Sequence, residues 1–121
     1  MTRATGHEFA FRTPFLYMTK AELCMLASER GLGADIGDTV SCDGFPLRLP
    51  GKSQCGLCTS CLLRRQALYA AGLDHFDASE QYASDVVSAE RLIANDRLRP
   101  LRMMLAQVES FRHAMTRIDP W

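Results

Sequence analysis

The sequence predicts a mainly α-helical chain with one short β-strand, organised around a loop gathered by four cysteines. Three observations lead there. Two capping signals, Thr19-Lys20-Ala21-Glu22 and Asp77-Ala78-Ser79-Glu80, stand before apolar runs of helical period. Strand-type alternation is confined to Glu8–Arg12, where Phe9 and Phe11 share a face. Cys42, Cys55, Cys58 and Cys61 follow the spacing C-x12-C-x2-C-x2-C within a stretch, 41–65, that Gly44, Pro46, Pro50, Gly51 and Gly56 keep out of regular structure.

The elements follow in order. Residues 1–7 are polar, and Thr13-Pro14 ends the strand because proline has no N–H for a ladder. Thr19 opens a helix with Leu23, Leu26 and Ala27 on its apolar face and Gly31 as its C-terminal stop. Cys24 in that helix reads as a small core residue. Gly31–Asp38 is glycine-rich but fits neither G-x-G-x-x-G nor the P-loop pattern, and it reads as a turn. Thr59 or Ser60 caps a helix running to about Ala71, with Gly72 as its stop and Leu62, Ala67 and Leu68 facing inward. Beyond it, a stripe of Tyr82, Ala83, Val86, Val87 and Ile93 predicts a further helix. Pro100 opens a last one, whose face is Leu101, Met104, Leu105, Val108, Phe111 and Met115. These two form a helical hairpin about a break at Arg97–Pro100, so the chain divides into 1–75 and a hairpin extension, 76–121.

Four thiols so close in sequence suit an all-sulfur tetrahedral cage, and structural zinc is the leading reading. With every position a thiol, no coordination site stays open, so the metal folds the loop and does not activate water. Cys61 falls in the first turn of its helix, where the macrodipole favours a thiolate. An iron–sulfur cluster is the main rival, although C-x2-C-x2-C-x3-C-P has its fourth cysteine downstream and here it lies upstream. A redox pair at Cys55-Gly56-Leu57-Cys58 leaves Cys42 and Cys61 without a purpose. His7, His75 and His113 are scattered, and no Ser/His/Asp or paired-carboxylate constellation stands out, so no catalytic residue is assigned.

Composition narrows the remainder. Lys+Arg and Asp+Glu tie at 14 each, so bulk charge selects no polyanionic partner. Arg48, Lys52, Arg64 and Arg65 surround the cluster, but a tetrathiolate zinc near −2 attracts cations on its own account. No apolar run approaches a membrane span and the start has no signal-type apolar core, so a cytoplasmic location is expected. Clustered thiols in a reducing compartment are metal ligands before they are disulfides.

Thr13-Pro14-Phe15, Met18-Thr19-Lys20-Ala21-Glu22, Asp38-Thr39-Val40-Ser41-Cys42, Cys55-Gly56-Leu57-Cys58-Thr59-Ser60-Cys61 and Arg64 occur in that order. The series resembles the C-terminal third of the 7-cyano-7-deazaguanine synthase (QueC-like) family over about residues 9–75. The resemblance implies a fragment of an α/β, Rossmann-like fold of the adenine nucleotide α-hydrolase (ATP pyrophosphatase) type. It implies an ATP-dependent ligase of queuosine biosynthesis that adenylates the carboxylate of 7-carboxy-7-deazaguanine, admits ammonia and ends at the nitrile. It further implies that Cys42, Cys55, Cys58 and Cys61 hold a structural zinc, and that Lys20 and Arg64 contact nucleotide or substrate.

The family's S-G-G-x-D-S ATP loop has no counterpart in these 121 residues, position 43 is Asp where Tyr is common, and the insert between Cys42 and Cys55 is long. These departures suit a divergent member, such as those of antiviral defence operons. They lead to the expectation of a C-terminal portion, inactive alone: either a truncated reading frame, or a half whose ATP loop comes from an N-terminal half or an upstream-encoded partner. A second copy of the chain is another candidate partner; a membrane or nucleic acid is not expected. The alternative function is a stand-alone zinc module for protein or nucleic-acid contacts.

Overall fold

A computed structural model describes residues 11–45, 51–86 and 98–117. Among them are four α-helices: α1 (Lys20–Glu29), α2 (Gly33–Asp38), α3 (Thr59–Ala70) and α4 (Arg99–Met115). Two 3-10 turns, Asp74–Phe76 and Ser79–Gln81, follow α3. No β-strand occurs among the described residues; the only ladder-type pairing there is an isolated parallel bridge between Gln54 and Tyr82. The expected strand lies mostly outside the described residues, and Phe11 and Arg12, its last two, are unpaired. The sheet of the Rossmann-like fold that the resemblance implies is therefore not found among the described residues.

Helix α1 begins as its sequence dictates. Thr19 Oγ1 accepts from the Glu22 N–H at 3.2 Å, and Glu22 Oε2 accepts from the Thr19 N–H at 2.6 Å. That reciprocal pair satisfies two of the helix's orphan donors. The Thr19 N–H also holds the Glu22 carboxyl below the usual carboxylate range. The helix ends in a Schellman motif: Gly31 takes φ +79, its N–H bonds Ser28 O at 2.9 Å, and Leu32 N–H bonds Ala27 O at 3.0 Å. Helix α3 stops in the same way, with Gly72 at φ +70, Gly72 N–H on Tyr69 O and Leu73 N–H on Leu68 O.

Gly33–Asp38 is a short helix where the sequence suggests a turn. Its glycines are needed for packing. A Cβ on Gly37 would stand 2.7 Å from Phe76 O, and one on Gly33 would stand 3.2 Å from the Phe76 ring. Removing both side chains lets α2 lie directly on the Asp74–Phe76 turn. Helix α1 packs on α3 and α2, and α4 touches α3. The buried apolar residues include Leu62, Ala67, Leu68 and Leu73, so the inward face expected for α3 is the one observed.

The segment after α3 departs from expectation. Asp77–Glu80 does not cap an α-helix, and Tyr82 faces the cysteines, buried with Cys42 and Cys61. Ala83 and Val86 are not helical either, and the rest of the expected stripe, Val87 and Ile93, lies outside the described residues. Helix α4 forms as expected with Pro100 in its first turn. Leu101 and Met104 are half-buried beside Leu62, whereas Val108, Phe111 and Met115 are exposed.

Candidate metal centre

Each cysteine reaches the centre from a different piece of backbone. Cys42 ends the segment after α2 and Cys55 follows the bridged residue Gln54. Cys58 is the N-cap of α3 and Cys61 lies in its first turn. The cap is thus a thiol of the cluster, not Thr59 or Ser60: Cys58 Sγ accepts from the Cys61 N–H at 3.4 Å. A large, polarisable sulfur takes the orphan donor that a hydroxyl usually takes.

The four sulfurs all lie within 4.8 Å of one another, and Cys55 Sγ and Cys61 Sγ are 3.8 Å apart. Metal–sulfur bonds of about 2.3 Å at tetrahedral angles require sulfur–sulfur edges of about 3.8 Å. The cluster therefore fits one ion held by four thiolates, and all four residues expected to converge do so. No other such group occurs among the described residues.

The backbone prepares the sulfurs for negative charge. Gly44 and Cys55 direct N–H groups at Cys42 Sγ at 3.3 and 3.4 Å. Leu57 and Cys58 do the same for Cys55 Sγ at 3.4 and 3.3 Å. Donors aimed at a thiolate favour it over the thiol. At Cys55 burial pushes the thiol up, but these two N–H groups together with the Cys58 and Cys42 side chains outweigh it and bring it below the ordinary value. At Cys58 burial prevails and the thiol is raised. Cys61, wholly enclosed, is raised far more, by burial first and then by its neighbouring thiols. With Cys58 and Cys61 raised, protons compete with a cation at those two sulfurs, and metal binding must expel them.

Gly56 makes the tight turn between Cys55 and Cys58 possible. It takes φ +80, and a Cβ there would collide with Ser84 O. Gly56→Ala is expected to lose about 2 kcal/mol or more of stability, from the left-handed backbone and the clash together. Thermal unfolding of the metal-loaded chain checks this; an unchanged midpoint would contradict it.

Arg64 and Lys20 occupy different surroundings. Arg64 is buried at 2% exposure. Its Nε donates to Asp77 Oδ1 at 2.9 Å, Nη1 to Thr39 Oγ1 at 2.6 Å, and Nη2 to Ile36 O at 2.8 Å. It ties α3 to the end of α2 and to the segment behind the metal loop. Lys20 is exposed in the first turn of α1 and borders a cavity of about 230 Å³ with Thr19, Ala21, Leu63, Gln66, Ala67 and Ala70. No bond joins the two cations.

Sequence reasoning missed Gln54, Asp77 and Tyr82. Gln54 is fully buried; its Oε1 lies 3.4 Å from Cys61 Sγ and its Nε2 donates to Thr39 O at 3.3 Å. Tyr82 Oη donates to the Asp77 carboxylate, and burial followed by that bond pushes the phenol up to about 12. The one signal for Gln54 was its place next to Cys55; nothing in residues 77–82 pointed to a metal site.

Known proteins supply the relationship. A family model described as queuosine biosynthesis protein QueC matches residues 1–72. The 7-cyano-7-deazaguanine synthase of Psychrobacter arcticus is 38% identical over 74 residues, covering 57% of this chain and 25% of that protein. Its counterpart in Acinetobacter baylyi is 38% identical over 68 residues, covering 56% and 28%. That of Methylobacillus flagellatus is 41% identical over 68 residues, again covering 56% and 28%. The chain thus spans about a quarter of the length of these relatives. No solved structure matches. No helix among the described residues is long and apolar enough to cross a membrane. With more than half of its length matched, the chain belongs to the QueC family.

Proposed function

We propose that this chain is the zinc-bearing C-terminal portion of a 7-cyano-7-deazaguanine synthase-type ligase, in which the metal is structural and the ATP loop is supplied by another polypeptide segment. The observation that carries the reading is the convergence of four sulfurs within 4.8 Å of one another in a chain of the QueC family. An all-thiolate donor set favours zinc and closes its coordination sphere. The ion, when bound, supplies no Lewis-acid position; it joins Cys42 to the start of α3 and so fixes the protein surface around it. In this reading Arg64 acts by holding α2 and α3 in place, and Lys20 is the cation open to nucleotide or substrate. Its ammonium suits phosphate as a point charge at the mouth of the small cavity.

Two measurements test this. Elemental analysis of the purified chain should give one zinc per chain; iron with visible absorbance would replace zinc by a cluster. The chain alone should form no nitrile from 7-carboxy-7-deazaguanine, ATP and ammonium. Adding a protein that carries an S-G-G-x-D-S loop from a neighbouring reading frame should produce it, and Lys20→Ala should weaken that activity. Turnover by the chain alone would overturn the division of labour. Failure with every such partner would favour a stand-alone zinc module.

A further inference from the structure

The geometry points to residues 77–85 as a strap that governs how fast the metal leaves the four-cysteine site. The strap lies beyond residues 1–72, the part that matches the QueC family. The inference rests on the reading of the cluster as a metal site.

The strap is fastened along its length. Gln54 N–H donates to Gln81 O at 3.1 Å and Ala83 N–H to Gln54 O at 2.9 Å, which pairs it in parallel with the residue before Cys55. Lys52 Nζ donates to Glu80 O at 2.6 Å and Gln81 Nε2 to Gly37 O at 3.2 Å. At one end Asp77 bonds Arg64, and at the other Asp85 pairs with Arg65 at 2.7 Å. Between these anchors Tyr82 enters the molecule. It is 6% exposed and clustered with Cys42 and Cys61; Cys55 and Cys58 pack against the same group. Its hydroxyl bonds Asp77, and the Arg65 guanidinium sits 4.1 Å from the ring centroid. Ser84 O passes so close to Gly56 that the strap also covers the turn joining two of the ligands.

A ligand sulfur leaves a metal only when water, a proton or a competing chelator can reach the bond. The Tyr82 ring fills that approach on the side of Cys42 and Cys61. Its removal admits the competitor while leaving all four ligands in place. Residues that support ligands from outside the coordination sphere change metal affinity by about ten- to a hundredfold when altered. For the strap the change falls mainly on the release rate.

The test loads the full chain with zinc and follows its transfer to a colorimetric chelator in excess. Tyr82→Ala is expected to speed release about tenfold or more, with one zinc per chain retained beforehand. Tyr82→Phe, which keeps the ring and loses the Asp77 bonds, should fall between. Equal release rates for Tyr82→Ala and the unaltered chain would overturn the strap, while a chain that takes up no metal would overturn the metal site itself. Should Tyr82→Ala fail to fold, hydrogen exchange in the unaltered chain decides. Zinc transfer no faster than opening of the Ala83 N–H supports the strap, and transfer far ahead of that opening refutes it.

Discussion

Removing the metal is expected to dismantle the centre of this chain. Chelation of the loaded protein, or Cys58→Ser, should abolish most of the α3 signal in circular dichroism and leave the chain prone to aggregate. Apparent zinc-binding energies in small all-protein sites are about 10–16 kcal/mol, whereas a whole domain is held by about 5–15 kcal/mol. Among the described residues the buried apolar side chains outside the centre offer little to set against that loss, since Leu62, Ala67, Leu68 and Leu73 lie on α3 or directly after it and Leu98 alone comes from the start of α4. Helix α3 depends on the site twice over, through Cys58 as its N-cap and Cys61 in its first turn. The acid side follows from the same sulfurs. Because burial raises Cys58 and Cys61, protons compete with the ion there, so affinity should fall as pH falls and recover as it rises. Metal titrations at several pH values read this directly. A chain that keeps its helicity and cooperative unfolding after complete chelation would show that the loop is held by something other than metal.

Local signals in the sequence proved reliable where the physics is local. The Thr19/Glu22 capping box and the glycine stops at Gly31 and Gly72 are each decided within a few residues, and each appears as expected. The cysteine spacing worked for a related reason, since two-residue separations turn successive thiols to one point. What could not be read was set by distant partners. Asp77-Ala78-Ser79-Glu80 has the form of a cap, yet Asp77 is spent on Arg64 and Tyr82, thirteen and five residues away. That competing demand converts an expected helix start into a strap. Gly33 and Gly37 look like turn residues until Phe76 is seen lying against them. The apolar face of α4 was legible as a face, but its length exceeds what α3 covers among the described residues: Leu101 and Met104 approach Leu62, and Phe111 and Met115 do not.

Arg64→Ala should be the most damaging substitution outside the cysteines. The sequence marks Arg64 as a contact for nucleotide or substrate, but its guanidinium nitrogens bond within the chain. Asp77 shares the burial, with side-chain exposures of 3% for Arg64 and 7% for its partner. Removing one member of a buried pair leaves the other charged with too few partners, here Asp77 with Tyr82 Oη as its remaining side-chain donor, at a cost of about 3–5 kcal/mol. Here the loss extends further, because Thr39 Oγ1 loses its donor and the carbonyls of Ile36 and Gly37 each lose one of theirs. Arg64→Lys should recover only part of the loss, since one ammonium cannot span acceptors arranged around a planar fork. Combining Arg64→Met with Asp77→Asn removes both charges, and the double variant should be less destabilised than Arg64→Ala alone. Denaturant unfolding of the zinc-loaded variants separates the cases. If Arg64→Ala unfolds like the unaltered chain but loses ligase activity in the reconstituted system, the side chain serves substrate and not the scaffold. If it unfolds early and the double variant recovers, the Arg64–Asp77 pair is what joins the metal loop to the helices behind it.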